Sequence, residues 1–313
     1  MLMTQPDLFG PEALPAPSRE LVTLAQSIPA NIRFGTSTWT YDGWSSDVYH
    51  RHYRGPEPAR RLEEYARYPL FRTVGIDSAF YDPPSEDELR SYARALPPGF
   101  PCVSKVWDRI TSKRLNQDSL RNPDVLNAAL FKDNVLGPYS RVFRDHAGCF
   151  VFEFQAMRGK DLPDPLHWAD QLDDFLKELP RDFRYAVELR NPELLTGVHG
   201  EVLKRHGVAH VFNSWTDMPP IGEQIDQAWT FSAEFTVARA LLKPGRRYSD
   251  AVKQFQPYDR VQEPLPSLRK DLVRLVSEAH RRRVEAFILA NNRAEGNAPG
   301  TIKAVARMWQ EAV

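Results

Sequence analysis

Short apolar runs alternate with longer amphipathic stretches along most of the chain. Eight runs rich in β-branched and aromatic residues predict strands, most of them apolar throughout, as in strands buried on both faces; they span residues 32–35, 72–76, 100–103, 149–154, 184–189, 208–212, 235–241 and 284–289. Helical periodicity predicts helices at residues 59–67, 86–95, 125–143, 165–179, 200–206, 267–283 and 299–310. Strands that alternate with helices in this way favour an α/β fold, a closed TIM-like (β/α)8 barrel.

The first 17 residues lack this periodicity. They contain prolines at positions 6, 11, 15 and 17 and are predicted to form a flexible N-terminal tail, followed by a short helix over 18–28. No linker interrupts the alternation from there on, which predicts a single barrel domain over 18–313. The structural alternative is an open doubly wound sheet. That fold requires a glycine-rich phosphate loop after an early strand, and the run FGTS at 34–37 does not match G-x-G-x-x-G.

The charges balance, with 41 Lys and Arg against 41 Asp and Glu. A protein that binds nucleic acid mainly through phosphates usually has a basic surplus, so the composition argues against strong non-specific nucleic-acid binding. No apolar stretch approaches the ~20 residues of a membrane span, and the N-terminus lacks the features of a secretory signal. Two cysteines lie in apolar runs without a C-x-x-C motif, typical of buried reduced thiols. These features predict a cytoplasmic protein without membrane contact.

Charged residues gather at the ends of the middle strands. In a barrel, chemistry takes place at the C-terminal ends of the strands. The third strand ends at Lys105, the fourth carries Glu153 and Gln155, and the fifth carries Glu188 and Arg190. Three of these residues are therefore candidate catalytic residues. Lys105 would stabilise an oxyanion, and Glu188 would act as a carboxylate base beside Arg190. The alternative interpretation is a salt-bridge network that closes the top of the barrel.

Aromatic and polar residues follow the first two strands. Trp39, Tyr41 and Trp44 lie within six positions of one another in the first loop, and Asp77 and Tyr81 follow the second strand. Aromatic faces stack on sugars or bases, so these five residues and Gln155 are candidate substrate-binding residues. The alternative for each ring is simple packing over the barrel mouth.

Three asparagines follow the last strand. Asn291 and Asn292 end it, and Asn297 precedes a predicted helix start at Pro299. Uncharged amides at a strand end suit ligand hydrogen bonds, so Asn291 and Asn292 are candidate substrate-binding residues. Helix starts after the seventh or eighth strand often bind phosphate in barrels, so Asn297 is a candidate ligand for an anionic substrate. Helix capping alone also explains Asn297.

Several strings resemble those of a known family. They are GTSTWTYDGW, VGIDSAFYDPP, the K-x-x-x-x-I-T of residues 105–111, AVELRN and NNRAEGNAP, in the family's order. From about residue 31 to the C-terminus the chain is identified as a member of the YecE-like family, domain-of-unknown-function family 72. The resemblance implies a TIM-type barrel with a polar pocket lined by the residues above, and it implies no particular reaction.

The chain departs from this family's pattern at two motifs. The family usually has V-E-I-N-S-T-F-Y on the second strand, whereas here Gly75 replaces the glutamate and Asp77 the asparagine. The family's I-T-H becomes Ile110-Thr111-Ser112. A mechanism that needs the family's glutamate or histidine is therefore placed in doubt.

The chain offers few signals for other chemistry. His50 and His52 form the only close histidine pair, without a third ligand nearby in sequence, so no metal site is predicted. No G-x-S-x-G elbow or cofactor motif is present, and we expect neither a covalent nucleophile nor a cofactor.

The tail carries a short motif of its own. Gln5, Leu8 and Phe9 resemble the Q-x-x-L-F peptide with which bacterial replication and repair proteins bind the DNA sliding clamp. A flexible tail could present Leu8 and Phe9 to an apolar pocket of that partner.

Three functions are compatible with the sequence. The first is a barrel enzyme, a hydrolase or an isomerase, that acts on a phosphorylated or sugar-containing small molecule by acid–base chemistry. The second is a DNA-processing or DNA-binding barrel that is recruited by the clamp motif. The third is a non-catalytic ligand-binding or adaptor barrel.

Overall fold

The computed structural model describes residues 14–45, 47–114 and 120–312. Within them, eight parallel strands form one curved sheet in the order β1-β8-β7-β6-β5-β4-β3-β2. The strands are β1 (Ile32–Thr36), β2 (Val74–Ile76), β3 (Cys102–Lys105), β4 (Ala147–Phe154), β5 (Tyr185–Leu189), β6 (Ala209–Asn213), β7 (Phe235–Ala240) and β8 (Glu285–Ala290). The eight predicted strands and the TIM-like barrel are confirmed.

The barrel closes where β1 meets β2. The Arg72 N–H donates to the Phe34 carbonyl at 2.8 Å, so the two edges touch without a regular ladder. A Cβ on Gly35 would lie 2.2 Å from the Thr73 carbonyl oxygen, and one on Gly75 would lie 2.6 Å from the backbone oxygen of Ser37. Because a side chain at either position would collide with backbone, a glutamate, which the resemblance leads one to expect at position 75, cannot replace Gly75 here without separating the strands.

Helices surround the sheet. They are α1 (Arg19–Ser27), α2 (Pro58–Tyr65), α3 (Glu86–Ala95), α4 (Asp108–Thr111), α5 (Ala128–Phe131), α6 (Gly137–Val142), α7 (Pro165–Lys177), α8 (Gly197–His206), α9 (Ile221–Ile225), α10 (Tyr248–Phe255), α11 (Pro266–Arg282), α12 (Asn292–Glu295) and α13 (Ala298–Ala312). Local signals set several starts: Ser85 and Glu88 form a capping box before α3, and Asp164 caps α7 just before Pro165.

The helix predictions differ from the structure at one long helix and at four short ones, since α4, α9, α10 and α12 are not predicted by the pattern. The single helix predicted at 125–143 is divided, because a π-helical turn at Lys132–Leu136 separates α5 from α6. The pattern predicts no helix at 248–255, where α10 forms over one short amphipathic stretch that ends before Pro257. Only packing against the barrel stabilises so short a helix.

Two apolar layers enclose the sheet. The larger packs the helices against the outer face of the strands. The smaller fills the barrel with inward side chains, including Val103, Val151, Val237, Phe287 and Leu289. Since side chains alternate along a strand, the next inward position on each strand lies one layer nearer its C-terminal end. No helix in the described part of the chain is long and apolar enough to cross a membrane.

Candidate active site

A pocket of about 670 Å³ opens at the C-terminal ends of the strands. Its floor begins one layer above the apolar barrel interior, where Lys105 follows Val103, Glu153 follows Val151 and Arg239 follows Val237. The pocket is lined by Thr38, Tyr41, Asp77, Ser78, Phe80, Tyr81, Lys105, Glu153, Gln155, Ala156, Arg190, Trp215, Arg239, Leu241, Leu242, Tyr248, Asn291 and Arg293.

Arg239 on β7 is the centre of a charge network at this floor. Its Nη1 donates to Glu153 Oε2 at 2.9 Å and to Glu188 Oε2 at 2.5 Å, and its Nη2 donates to Asp77 Oδ2. The arginine side chain is only 2% exposed, so these carboxylates replace its water. One guanidinium thus joins the ends of β2, β4 and β5.

Two further cations complete the network. Lys105 Nζ lies 2.8 Å from Glu153 Oε2, and Arg190 Nη2 lies 2.7 Å from the same oxygen. Arg190 Nε also donates to Glu188 Oε1 at 3.2 Å. Three cationic side chains therefore contact the same carboxylate oxygen of Glu153. Together with Asp77 and Arg239, the network contains three positive and three negative groups and is neutral when all are ionised.

Burial and neighbouring charges shift the pKa values of this network in opposite directions. Burial raises the pKa of Asp77 despite the opposing charges of Arg239 and Lys105, and burial lowers the pKa of Lys105. For Glu153 the burial effect is outweighed by Arg190, Lys105 and Arg239, which hold its pKa well below the usual range. Asp77 and Lys105 are therefore displaced toward neutrality, as expected of an acid–base pair.

Glu188 lies beneath the pocket rather than in its lining. Its side chain is 0% exposed, and its two oxygens accept from Arg190 and Arg239. A carboxylate enclosed in this way cannot reach a ligand, so the direct catalytic contact expected of Glu188 is replaced by positioning of the two arginines. Lys105 and Arg190 do line the pocket, as expected.

Aromatic rings cover the cations of the floor. Lys105 Nζ lies 3.7 Å from the centre of the Phe80 ring, and the Arg190 guanidinium lies 3.6 Å from that of Trp215. Such cation–π contacts compensate for lost water at a buried site. Arg239, Phe80 and Trp215 were not predicted from the sequence. A charged residue inside the apolar strand FTVARA was the available signal for Arg239.

Five of the predicted binding residues reach the pocket. Tyr41, Gln155 and Asn291 line its wall, and Tyr81 stands at the rim with 75% of its surface exposed. Asp77, also predicted as a binding residue, lies at the floor.

A family model described as "Protein of unknown function DUF72" matches residues 33–313. The chain belongs to the DUF72 family. Its structure is similar to that of a DUF72 protein from Thermotoga maritima, with 18% identity, a TM-score of 0.60 and coverage of 90% of this chain and 98% of that one. A DUF72 protein from Enterococcus faecalis has 15% identity, a TM-score of 0.62 and coverage of 90% and 94%. At these identities the likeness establishes the fold alone. No curated protein matches.

Two tryptophans predicted to bind substrate lie outside the pocket of this DUF72 barrel. Trp39 is buried, with its Nε1 donating to the Pro58 carbonyl at 2.7 Å. Trp44 is buried too, and its Nε1 donates to Asn292 Oδ1 at 3.2 Å. Since each indole N–H has an internal acceptor and each ring is covered, both serve to hold the first loop against the barrel.

The backbone N–H groups at the helix start after Asn297 are not available to a ligand either. Asn297 Oδ1 accepts from the Gly300 N–H at 2.7 Å, and Asn292 Oδ1 accepts from the Ala298 N–H at 2.7 Å. Both asparagines are buried outside the pocket lining. These side chains occupy the amides that a phosphate would need, so capping replaces the expected anion site.

Two other expectations concern the N-terminal tail and metal binding. The clamp-type residues Gln5, Leu8 and Phe9 lie outside the described residues. Among the residues that are described, no group of three or more His, Cys, Asp and Glu side chains is arranged to hold a metal ion, and His50 and His52 gain no third partner.

Proposed function

We propose that this DUF72 protein is an enzyme that binds a small anionic molecule, such as a sugar phosphate, and moves a proton on it. The observation that carries this proposal is that Asp77 and Lys105 line the same pocket, where burial raises the pKa of the carboxyl and lowers the pKa of the amine. Groups tuned in opposite directions within one cleft are typical of acid–base catalysis.

Asp77 is the proposed general base. Arg239 holds one of its oxygens, which fixes the orientation of the carboxylate. Its raised pKa strengthens it as a base, and a positioned base of this kind contributes about 10²- to 10⁴-fold to a rate. The cost is that the active, ionised form is lost earlier as the pH falls.

Lys105 is the proposed stabiliser of negative charge that develops on the substrate. One of its N–H groups bonds to Glu153, and the ammonium lies against Phe80 at the pocket floor. A cation held in place with little water stabilises an oxyanion without further reorganisation. This arrangement suits proton abstraction next to a carbonyl, as in an isomerase.

The pocket dimensions suit such a substrate. A volume of about 670 Å³ is typical of small-molecule sites, and the walls combine phenol, indole and amide groups on Tyr41, Trp215, Tyr248 and Asn291. Rings along the wall could pack against a sugar while the amide and phenols bind its hydroxyls.

Hydrogen exchange with a panel of compounds tests this function. The protein is incubated in D₂O with sugar phosphates and small keto and hydroxy acids, and proton NMR follows the signals next to each carbonyl. We expect exchange in at least one compound and a loss of roughly 10²-fold or more in Asp77→Asn.

The matched control is Asp82→Asn, because Asp82 is exposed on the same loop and outside the pocket lining. Exchange should be unchanged in this variant. A wild-type protein that exchanges nothing in the panel, or an Asp77→Asn variant that exchanges at the wild-type rate, would contradict the proposed function.

A further inference from the structure

Arg293 on α12 differs from the other cations of the pocket. Lys105, Arg190 and Arg239 each contact at least one carboxylate within 3.2 Å. Among the described residues, Arg293 has no carboxylate partner, although it lines the same pocket. A half-buried guanidinium without a counter-charge is costly unless something else supplies that charge.

The groups around Arg293 are neutral. Asn291 Oδ1 accepts from its backbone N–H at 3.0 Å and from its Nη1 at 3.2 Å, and its guanidinium lies 4.3 Å from the centre of the Tyr248 ring. Its Nε is buried and has no hydrogen-bond partner among the described residues. Asn291 therefore holds the side chain in place, and no carboxylate of the described residues engages the guanidinium.

Tyr41 adds a second donor, because it lines the same pocket as Arg293. Burial raises the pKa of the Tyr41 phenol, and the positive charge of Arg293 opposes that shift. A phenol whose pKa is raised remains protonated at neutral pH and can donate a hydrogen bond. Arginine beside a neutral phenol is a suitable arrangement for an oxyanion.

The charges of the pocket also favour an anionic ligand. Lys105, Arg190, Arg239 and Arg293 contribute four positive charges, and Asp77 and Glu153 in the lining with Glu188 beneath them contribute three negative charges. The excess of one positive charge among these described residues lies at Arg293, on the wall rather than at the floor.

We propose that Arg293, positioned by Asn291 and assisted by Tyr41, binds a carboxylate or phosphate group of the ligand. This rests on the proposed function and names its substrate class: a small molecule with an oxyanion at one end and an uncharged reacting end over Asp77 and Lys105. The floor cations are occupied by carboxylates, so Lys105 is not the anion anchor.

Anion binding to the purified full chain tests this proposal. Inorganic phosphate and malonate are titrated separately by calorimetry at low ionic strength, which distinguishes phosphate from carboxylate recognition. We expect saturable binding of at least one, weakened tenfold or more in Arg293→Gln and only a few-fold in Arg293→Lys, which keeps the charge but loses the fork.

Arg260→Gln is the matched control, because Arg260 is 74% exposed and lies outside the pocket lining. The substitution removes the same charge near α12 as Arg293→Gln does. This variant should bind phosphate and malonate with the affinity of the wild type. The proposal would be overturned if the wild type bound neither anion, or if Arg293→Gln bound them as tightly as the wild type. Asp77→Asn should retain anion binding, so failure of the catalytic proposal and failure of the anion site remain distinguishable.

Discussion

The barrel interior has two layers that differ sharply although the same strands build both. The lower layer contains Val103, Val151 and Val237, and the upper layer, two residues further along each strand, contains Lys105, Glu153 and Arg239. The lower layer is held by apolar contact, which tolerates changes of identity if volume is kept. The upper layer depends on every charge having its partner. Two residues along each strand thus separate an apolar layer that packs the barrel from a charged layer that lines the pocket.

The sharpest test of this difference is Arg239→Leu. Removing the arginine leaves Asp77, Glu153 and Glu188 close together in a buried site without their shared cation. We expect a loss of about 3–5 kcal/mol in the free energy of unfolding, measured with urea.

Val237→Ala is the comparison for that substitution, because it lies one layer below on the same strand. It should cost less, about 1–2 kcal/mol, as a small cavity in an apolar layer. An Arg239→Leu protein as stable as Val237→Ala would show that the upper layer does not depend on its charges.

A second prediction concerns titratable groups in an apolar setting without ionic partners. His199 and His210 are fully buried around Trp229, and burial lowers their pKa values to about 3 and about 4. The unfolded chain binds protons at these histidines below pH ~6.5, whereas the native protein does not. Stability should therefore fall as the pH drops from 6.5 toward 4, by up to ~1.4 kcal/mol per pH unit for each histidine.

Urea unfolding at several pH values measures this slope, and His210→Gln removes one of the two groups. The variant should show a shallower dependence between pH 6.5 and 4. An unchanged slope would mean that His210 is not kept neutral by its surroundings.

A third prediction concerns Glu188→Gln, whose effect should be smaller than that of Arg239→Leu. Each arginine donates to a different oxygen of Glu188, and the amide replaces one of these oxygens by an NH2 group, so we expect a loss of about 1–3 kcal/mol. Because the charge of Glu188 helps to raise the pKa of Asp77, that pKa should also fall, as followed by carbon NMR of the Asp77 carboxyl. An unaltered Asp77 titration would argue against a positioning role for Glu188.

Strand alternation made much of the fold and part of the site predictable. The eight apolar runs specify strands buried on both faces, and the residues that end them, Asp77, Lys105 and Arg190, do line one pocket. The helix α10 escaped prediction because its eight residues have little intrinsic stability. Arg239 escaped because its strand was interpreted as apolar throughout.

The sequence by itself determined the barrel, the family and the edge of the barrel at which polar groups collect, because these follow from local periodicity and from motifs. Only the tertiary structure decided which polar groups remain available to a ligand. Trp39, Trp44 and Asn297 find internal partners outside the pocket, whereas Arg293 lines the pocket without a carboxylate partner among the described residues. Availability depends on distances between strands and loops that are far apart in the chain, and closure of the barrel sets those distances.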